Sequence, residues 1–169
     1  IDGNTMSGSS SGIGLGNSDN NILTRNSISG YSAGIRLYDS NSNQISYNTI
    51  SVVGAGIDTY DSDLNTINKN IVSSNTFGMM LYSTDIGKSV FPGNIISVGS
   101  SYSIWISSNP ETIITNNICD YGGIALYSSE LSQVIGNTVT TTNEYIGGTY
   151  VQESPGTIVR GNTITGSRY

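Results

Sequence analysis

Charged and aromatic side chains recur at one spacing along the chain, and they are the residues from which chemistry could be built. Arg36 and Asp58 lie about 22 residues apart, as do Tyr38 and Tyr60, Tyr60 and Tyr82, and Asp39 and Asp61. A basic side chain one repeat away from a carboxylate is placed for an ion pair, worth under about 1 kcal/mol when exposed. Tyr38, Tyr60, Tyr82, Trp105, Tyr127 and Tyr150 supply rings of the kind that stack on the apolar faces of sugars, while hydroxyl and carboxylate groups hydrogen-bond the sugar edges. The same tyrosines also suit exposed strands, where stacked copies support one another across neighbouring rungs.

Other chemistries are closed to this chain. It contains no histidine, so Ser-His-Asp and Cys-His sites are excluded, and zinc or copper would lack its commonest ligand. The soft ligands Met6, Met79, Met80 and Cys119 fall in different rows or coils. Cys119 is expected one place after Ile118 in a row of serines, where a thiol nearly matches a hydroxyl in size. Net charge is −6, the pI is about 4.2 and the six basic residues are scattered, which argues against nucleic acid as a partner. No apolar run approaches the roughly 20 residues of a membrane span.

The elements that must position these side chains follow from one asparagine. Asn4, Asn26, Asn48, Asn70, Asn94, Asn116, Asn137 and Asn162 recur with a period near 22 residues, each with an apolar residue three before it and another two after it, as in Leu23-x-x-Asn26-x-Ile28-Ser29. Eight residues on comes a second phrase, Gly34-Ile35-Arg36-Leu37 or Gly56-Ile57-Asp58-Thr59. Self-similarity at this period marks a solenoid whose units bury their apolar faces only against one another. Apolar residues alternate in steps of two, so the units are short strands. A leucine-rich repeat would want apolar residues where Asn21, Ser18, Asn43 and Ser40 stand, and a return helix where Ser51 to Asn65 forms helix poorly. The expectation is an all-β, right-handed, single-stranded parallel β-helix of seven to eight coils, three short strands per coil, occupying residues 1–169 as one domain.

In that coil, one inward row reads Met6, Ile28, Ile50, Val72, Ile96, Ile118, Val139 and Ile164, and a second Leu23, Ile45, Ile67, Phe91, Ile113, Val134 and Val159. Asn26, Asn48, Asn70, Asn94, Asn116 and Asn137 form a structural ladder at a turn, each bond worth about 0.5–1.5 kcal/mol net. Asn21, Asn43 and Asn65 make a second ladder, and Ser7, Ser29, Ser51, Ser73 and Ser97 a third. In the G-I-x-L phrase, Gly14, Arg36, Asp58, Met80, Trp105, Ala125 and Tyr150 point outward, beside Gly16, Tyr38, Tyr60, Tyr82, Ser107, Tyr127 and Gln152. An ice-binding row of Thr5, Ser27, Thr49, Thr138 and Thr163 is a weaker idea, interrupted by Ile71, Ile95 and Asn117.

The cadence N-x-I-S, G-I-x-L, S-x-x-N-x-I-x-x-N, running from Asn4 to Ile164, resembles the right-handed parallel β-helix repeats of NosD-like proteins and the wider group of carbohydrate-acting β-helices. The resemblance implies a scaffold; activity varies widely among such proteins. β-Helical polysaccharide lyases use acidic residues for calcium and a basic residue to take a proton. By that resemblance Arg36, Asp58 and Asp61 are the catalytic candidates, and Asp39, Asp58 and Asp61 the candidate calcium ligands, calcium being the one cofactor considered. The pattern departs from the lyases in the next coil, where Met80, Ser83 and Thr84 stand. Copper, associated with NosD itself, is not carried over.

The chain opens on Ile1-Asp2-Gly3-Asn4 and closes on Ile164-Thr165-Gly166-Ser167-Arg168-Tyr169, both in mid-repeat, and is expected to be a piece of something longer. Uncapped coils point to flanking domains or to copies stacking end to end into filaments. The resulting expectation is an extracellular or cell-surface structural and adhesive module with a Tyr/Trp face for glycan or protein. The alternative is a lyase-type polysaccharide-active enzyme or a carbohydrate-binding module.

Overall fold

The structure, a computed structural model, describes residues 1–30, 32–83, 87–142 and 147–166. Thr84 and the closing Ser167, Arg168 and Tyr169 lie outside the described residues. The described residues form a parallel β-helix of about seven turns, built from strands and turns with no helix among them. Three parallel sheets run the length of the coil. The first holds the strands that follow the asparagine, such as Ser27–Ser29 and Thr49–Val52. The second holds the G-I-x-L strands, such as Ala33–Tyr38 and Ala55–Tyr60. The third holds the strands before the asparagine, such as Gln44–Ser46 and Thr66–Asn68. Register places like residues over like, Ile28 over Ile50 and Ile35 over Ile57, so each row of the sequence becomes a column.

Two of the three turns between sheets are built on a repeated pair: a residue in the left-handed region, then a polar residue that receives the backbone of the coil before. Between the third and first sheets the left-handed residue is Arg25, Tyr47, Lys69, Gly93, Asn116, Gly136 or Gly161, with φ from 53 to 67°. The asparagine follows. Asn48 Oδ1 accepts from both the backbone N–H and the side-chain Nδ2 of Asn26, at 3.0 and 2.9 Å. Its own Nδ2 donates to Leu23 O and to Asn70 Oδ1, each at 3.0 Å. One amide thus satisfies a turn that would otherwise bury unpaired backbone groups.

The turn from the second sheet to the third uses the pair twice, at its start and at its end. After the second sheet, Asn17, Asp39, Asp61, Ser108, Ser128 and Glu153 take positive φ, and the next residue is the receiver. Ser40 accepts from Ser18 N at 3.1 Å and Ser62 from Ser40 N at 3.0 Å, each serine also donating to the carbonyl two residues back. Before the third sheet, Asn43 accepts from Asn21 N at 2.7 Å, Asn65 from Asn43 N at 2.8 Å and Ser89 from Asn65 N at 3.3 Å. The expected second ladder is therefore present and continues into hydroxyls. The serine row of the first sheet is in register but faces outward, with Ser7, Ser29, Ser51 and Ser73 exposed.

One coil corrects three expectations together. Asn94 N–H donates to Asn117 Oδ1 at 2.8 Å and Asn117 N–H to Asn137 Oδ1 at 2.9 Å, so Asn117 carries the ladder and the exposed Asn116 is the left-handed corner before it. Phe91 pairs with Ile114, which is fully buried, instead of Ile113. Ile96 pairs with Cys119, also fully buried, while Ile118 is turned outward. The sequence here is Ile113-Ile114-Thr115-Asn116-Asn117-Ile118-Cys119, which fits the repeat phrase in two frames, and a slip of one residue sends every side chain to the opposite face. Cys119 thus lies in the core instead of the serine row.

Its presence there has a packing cause. In three consecutive coils the glycine that opens the G-I-x-L phrase lies against the first-sheet inward residue of the next coil: a Cβ on Gly34 would collide with Ile50 Cγ2, on Gly56 with Val72 Cγ1 and on Gly78 with Ile96 Cγ2. In the following coil the glycine is replaced by Ser103, buried, whose hydroxyl donates to Gly122 O at 3.0 Å. The residue it faces is Cys119, smaller than the apolar residues used elsewhere in the row.

Two outcomes follow from this packing. Asn117→Ala is expected to lower stability by about 3 kcal/mol or more, since it strands several buried groups at about 1–3 kcal/mol each, whereas Asn116→Gly stays within about 0.5 kcal/mol. Denaturant midpoints on both variants check this, and equal losses would move the ladder back to Asn116. Cys119→Val is expected to destabilise by about 1–3 kcal/mol through overpacking, with Ser103→Gly restoring part of the loss. A double-mutant cycle with no coupling would sink the pairing.

Candidate functional site

The second sheet presents two outward columns, and both are as the alternation implies. Gly14, Arg36, Asp58, Met80, Trp105, Ala125 and Tyr150 are in register, and beside them run Gly16, Tyr38, Tyr60, Tyr82, Ser107, Tyr127 and Gln152. Strand pairing fixes this arrangement, because the alternate residues face the core: Ile35 and Leu37, Met79 and Leu81, Ile104 and Ile106 are all buried.

The rings form two groups. Tyr38 and Tyr60 stack with centroids 5.4 Å apart and planes within 2°, and Tyr60 and Tyr82 at 5.1 Å and 20°. Trp105, Tyr127 and Tyr150 are tilted against each other at 6.0 and 5.3 Å, with interplanar angles near 43 and 44°. Phe77, which sequence reasoning missed, joins this second group at 6.1 Å from Trp105. It lies in the turn before the phrase, outside the strand alternation that revealed the others. Ala125, between Trp105 and Tyr150 in its column, is fully buried although it points outward. The Asp61 carboxylate, ahead of desolvation and the neighbouring phenols, raises the pKa of Tyr60; desolvation and then a hydrogen bond with Tyr102 raise that of Tyr127. Both phenols therefore stay protonated at neutral pH and are donors, unsuited to abstract a proton.

Two of the charged candidates pair directly. Arg36 Nε donates to Asp58 Oδ2 at 3.0 Å, the cross-rung ion pair its spacing implied, with side chains 52% and 17% exposed. Asp39 and Asp61 occupy left-handed corners, φ 46° and 43°, a conformation that aspartate tolerates better than most residues. Lys69 is elsewhere, its Nζ donating to Tyr47 Oη at 3.0 Å. Among the described residues, no three His, Cys, Asp or Glu side chains come together as a metal group, so Asp39, Asp58 and Asp61 do not form a calcium cage there.

Copper fits no better. Met79 is buried in the core while Met80, its neighbour in the same strand, points outward. Met6 lies in the first sheet. Burial pushes the Cys119 thiol up to about 12, far from the thiolate that binds metal.

Elsewhere, the first-sheet outward row passes through Ile118, not Asn117, between Ile95 and Thr138. A notch of about 340 Å³ where the chain leaves the first sheet is lined by Ser73, Ser74, Asn75, Ser97, Val98, Gly99 and Tyr121. None of the sequence-predicted site residues borders it.

A family model described as periplasmic copper-binding protein (NosD) matches residues 1–92. No curated protein matches the chain. No helix among the described residues is long and apolar enough to cross a membrane.

The buried thiol yields a pH-dependent expectation. The folded pKa of Cys119 is raised from 9.0 to about 12, so its contribution to stability is complete below pH 9.0 and is lost as pH rises toward about 12. Denaturation midpoints of the wild type should fall more steeply across that window than those of Cys119→Ala, and parallel curves would contradict the buried thiol.

Proposed function

The chain belongs to the NosD family of β-helix proteins, and from that premise we propose that it is an extracytoplasmic scaffold whose second-sheet face holds glycan without cleaving it. The family description places NosD in the periplasm; the same setting, or the cell surface, suits this chain, where polysaccharide is the abundant partner. The observation that carries the reading is the aromatic face: Tyr38, Tyr60, Tyr82, Trp105, Tyr127 and Tyr150 on consecutive coils of one sheet, Tyr38 51% and Tyr60 42% exposed. Rings gathered in two groups on one face, with Tyr38, Tyr60 and Tyr150 exposed, mark a contact site, and protonated phenols beside Arg36 and Asp58 add hydrogen-bonding edges.

The copper in the family description does not transfer on these residues. A lyase would have to use Arg36, Asp58 and Asp61, but Arg36 and Asp58 are already paired, and the candidate base is thereby tied to a carboxylate. Adhesion and self-assembly fit the same scaffold.

The expected outcome is retention of the chain on immobilised polysaccharide, weakened about tenfold or more when Tyr38 and Trp105 are both changed to alanine. Incubation with polyuronates should release no unsaturated sugar. Binding unaffected by the double change would remove the aromatic face from the reading, and unsaturated product lost in Asp58→Asn would replace it with the lyase.

A further inference from the structure

The stack of Tyr38, Tyr60 and Tyr82 restricts where a sugar can be held. Rings within 20° of parallel at 5.1 and 5.4 Å present their faces to one another, so Tyr60 has neither face free and can offer only its edge. At the Tyr82 end the next residue in the column is Ser107, with Trp105 beside it in the adjoining column. At the Tyr38 end the next residue is Gly16, and the residue next to Arg36 is Gly14. A Cβ built on either glycine would meet nothing within 4 Å. The second face of Tyr38 therefore looks over bare strand: a step with an aromatic wall and a backbone floor.

Arg36 stands at the side of this step. Its Nε is committed to Asp58 Oδ2, and its terminal nitrogens have no partner among the described residues, which leaves donor N–H groups at the rim. Asp58 and Asp39 flank the arginine and the tyrosine, so the corner carries no net positive charge. We infer that the step formed by Tyr38, Gly14, Gly16 and Arg36 is a subsite for one neutral hexopyranose or pentopyranose residue of a polysaccharide. Its apolar face lies on the open face of Tyr38 and its hydroxyls accept from Arg36. The flanking carboxylates disfavour a uronate. This subsite rests on the glycan-contact reading and locates it at one end of the face.

The test extends the tyrosine column by one ring. Gly16→Tyr would place a phenol over the open face of Tyr38, at a position of ordinary φ with free space for the side chain, in a column that already carries tyrosine in three consecutive coils. Calorimetric titration of the whole chain with β-glucan, mannan and xylan oligosaccharides, and separately with oligogalacturonate, should show binding to a neutral probe. Gly16→Tyr and Tyr38→Ala should each weaken that binding by about tenfold or more, with the circular dichroism and unfolding midpoint of Gly16→Tyr unchanged. Neutral-glycan binding that survives both changes but is lost in Trp105→Ala would overturn the subsite and leave the glycan-contact reading standing. Binding of oligogalacturonate alone would overturn the neutral assignment. Binding of no probe would overturn both.

Discussion

The structure depends on how each coil disposes of the backbone N–H groups at its corners. A chain that turns three times per coil inside a stack of like coils cannot give those groups to water, and unpaired they would cost about 1–3 kcal/mol each. The answer recurs at three positions in a coil, one in the turn from the third sheet to the first and two in the turn from the second to the third: a left-handed residue followed by a side-chain oxygen that accepts from the preceding coil. The receivers differ in kind. Asparagine serves where the side chain must also donate onward, as Asn48 Nδ2 does to Leu23 O and Asn70 Oδ1. Serine serves where a carbonyl two residues back can take the hydroxyl proton, as in Ser40 and Ser62. Rows of isoleucine fill the interior, but the corners decide that the coils lie in register.

This is also why so much of the fold could be read from the chain. Asparagine, apolar and glycine positions repeat with a period set by the corners, and the period exposes the strands, the inward rows and both outward columns of the second sheet. The reading failed where the period itself changed. Between Asn94 and Asn137 the coil lengths are unequal, and the doublets Ile113-Ile114 and Asn116-Asn117 accept either frame. A signal was available: Arg25, Tyr47, Lys69, Gly93 and Gly136 precede the ladder asparagine in left-handed geometry, a role that asparagine fills well, so the first of two asparagines belongs to the corner and the second to the ladder. Phe77 could not be found this way, because it lies in a turn that carries no alternation.

The candidate site was legible as a set of columns but not as a geometry. Sequence spacing places Tyr38, Tyr60 and Tyr82 one above another; it does not say that their planes are parallel and their faces mutually covered. Likewise Arg36 and Asp58 could be seen as neighbours, whereas the corner conformation that holds Asp39 and Asp61 emerges only from the backbone. Side chains that suggest a charged cluster in the sequence thus comprise an ion pair and two residues at left-handed turn positions.

The asparagine ladder also has a direction. Each bond between side-chain amides in it, from Asn4 through Asn26, Asn48, Asn70, Asn94, Asn117 and Asn137 to Asn162, runs from the Nδ2 of one coil to the Oδ1 of the next toward the C-terminus. The bond dipoles are therefore aligned head to tail along the axis and polarise one another. Such a column has an acceptor pole and a donor pole. Joined to another of its kind it can continue in only one sense, since a two-fold join would set like pole against like, and any assembly grown along this axis would be a directional fibre with unequal ends.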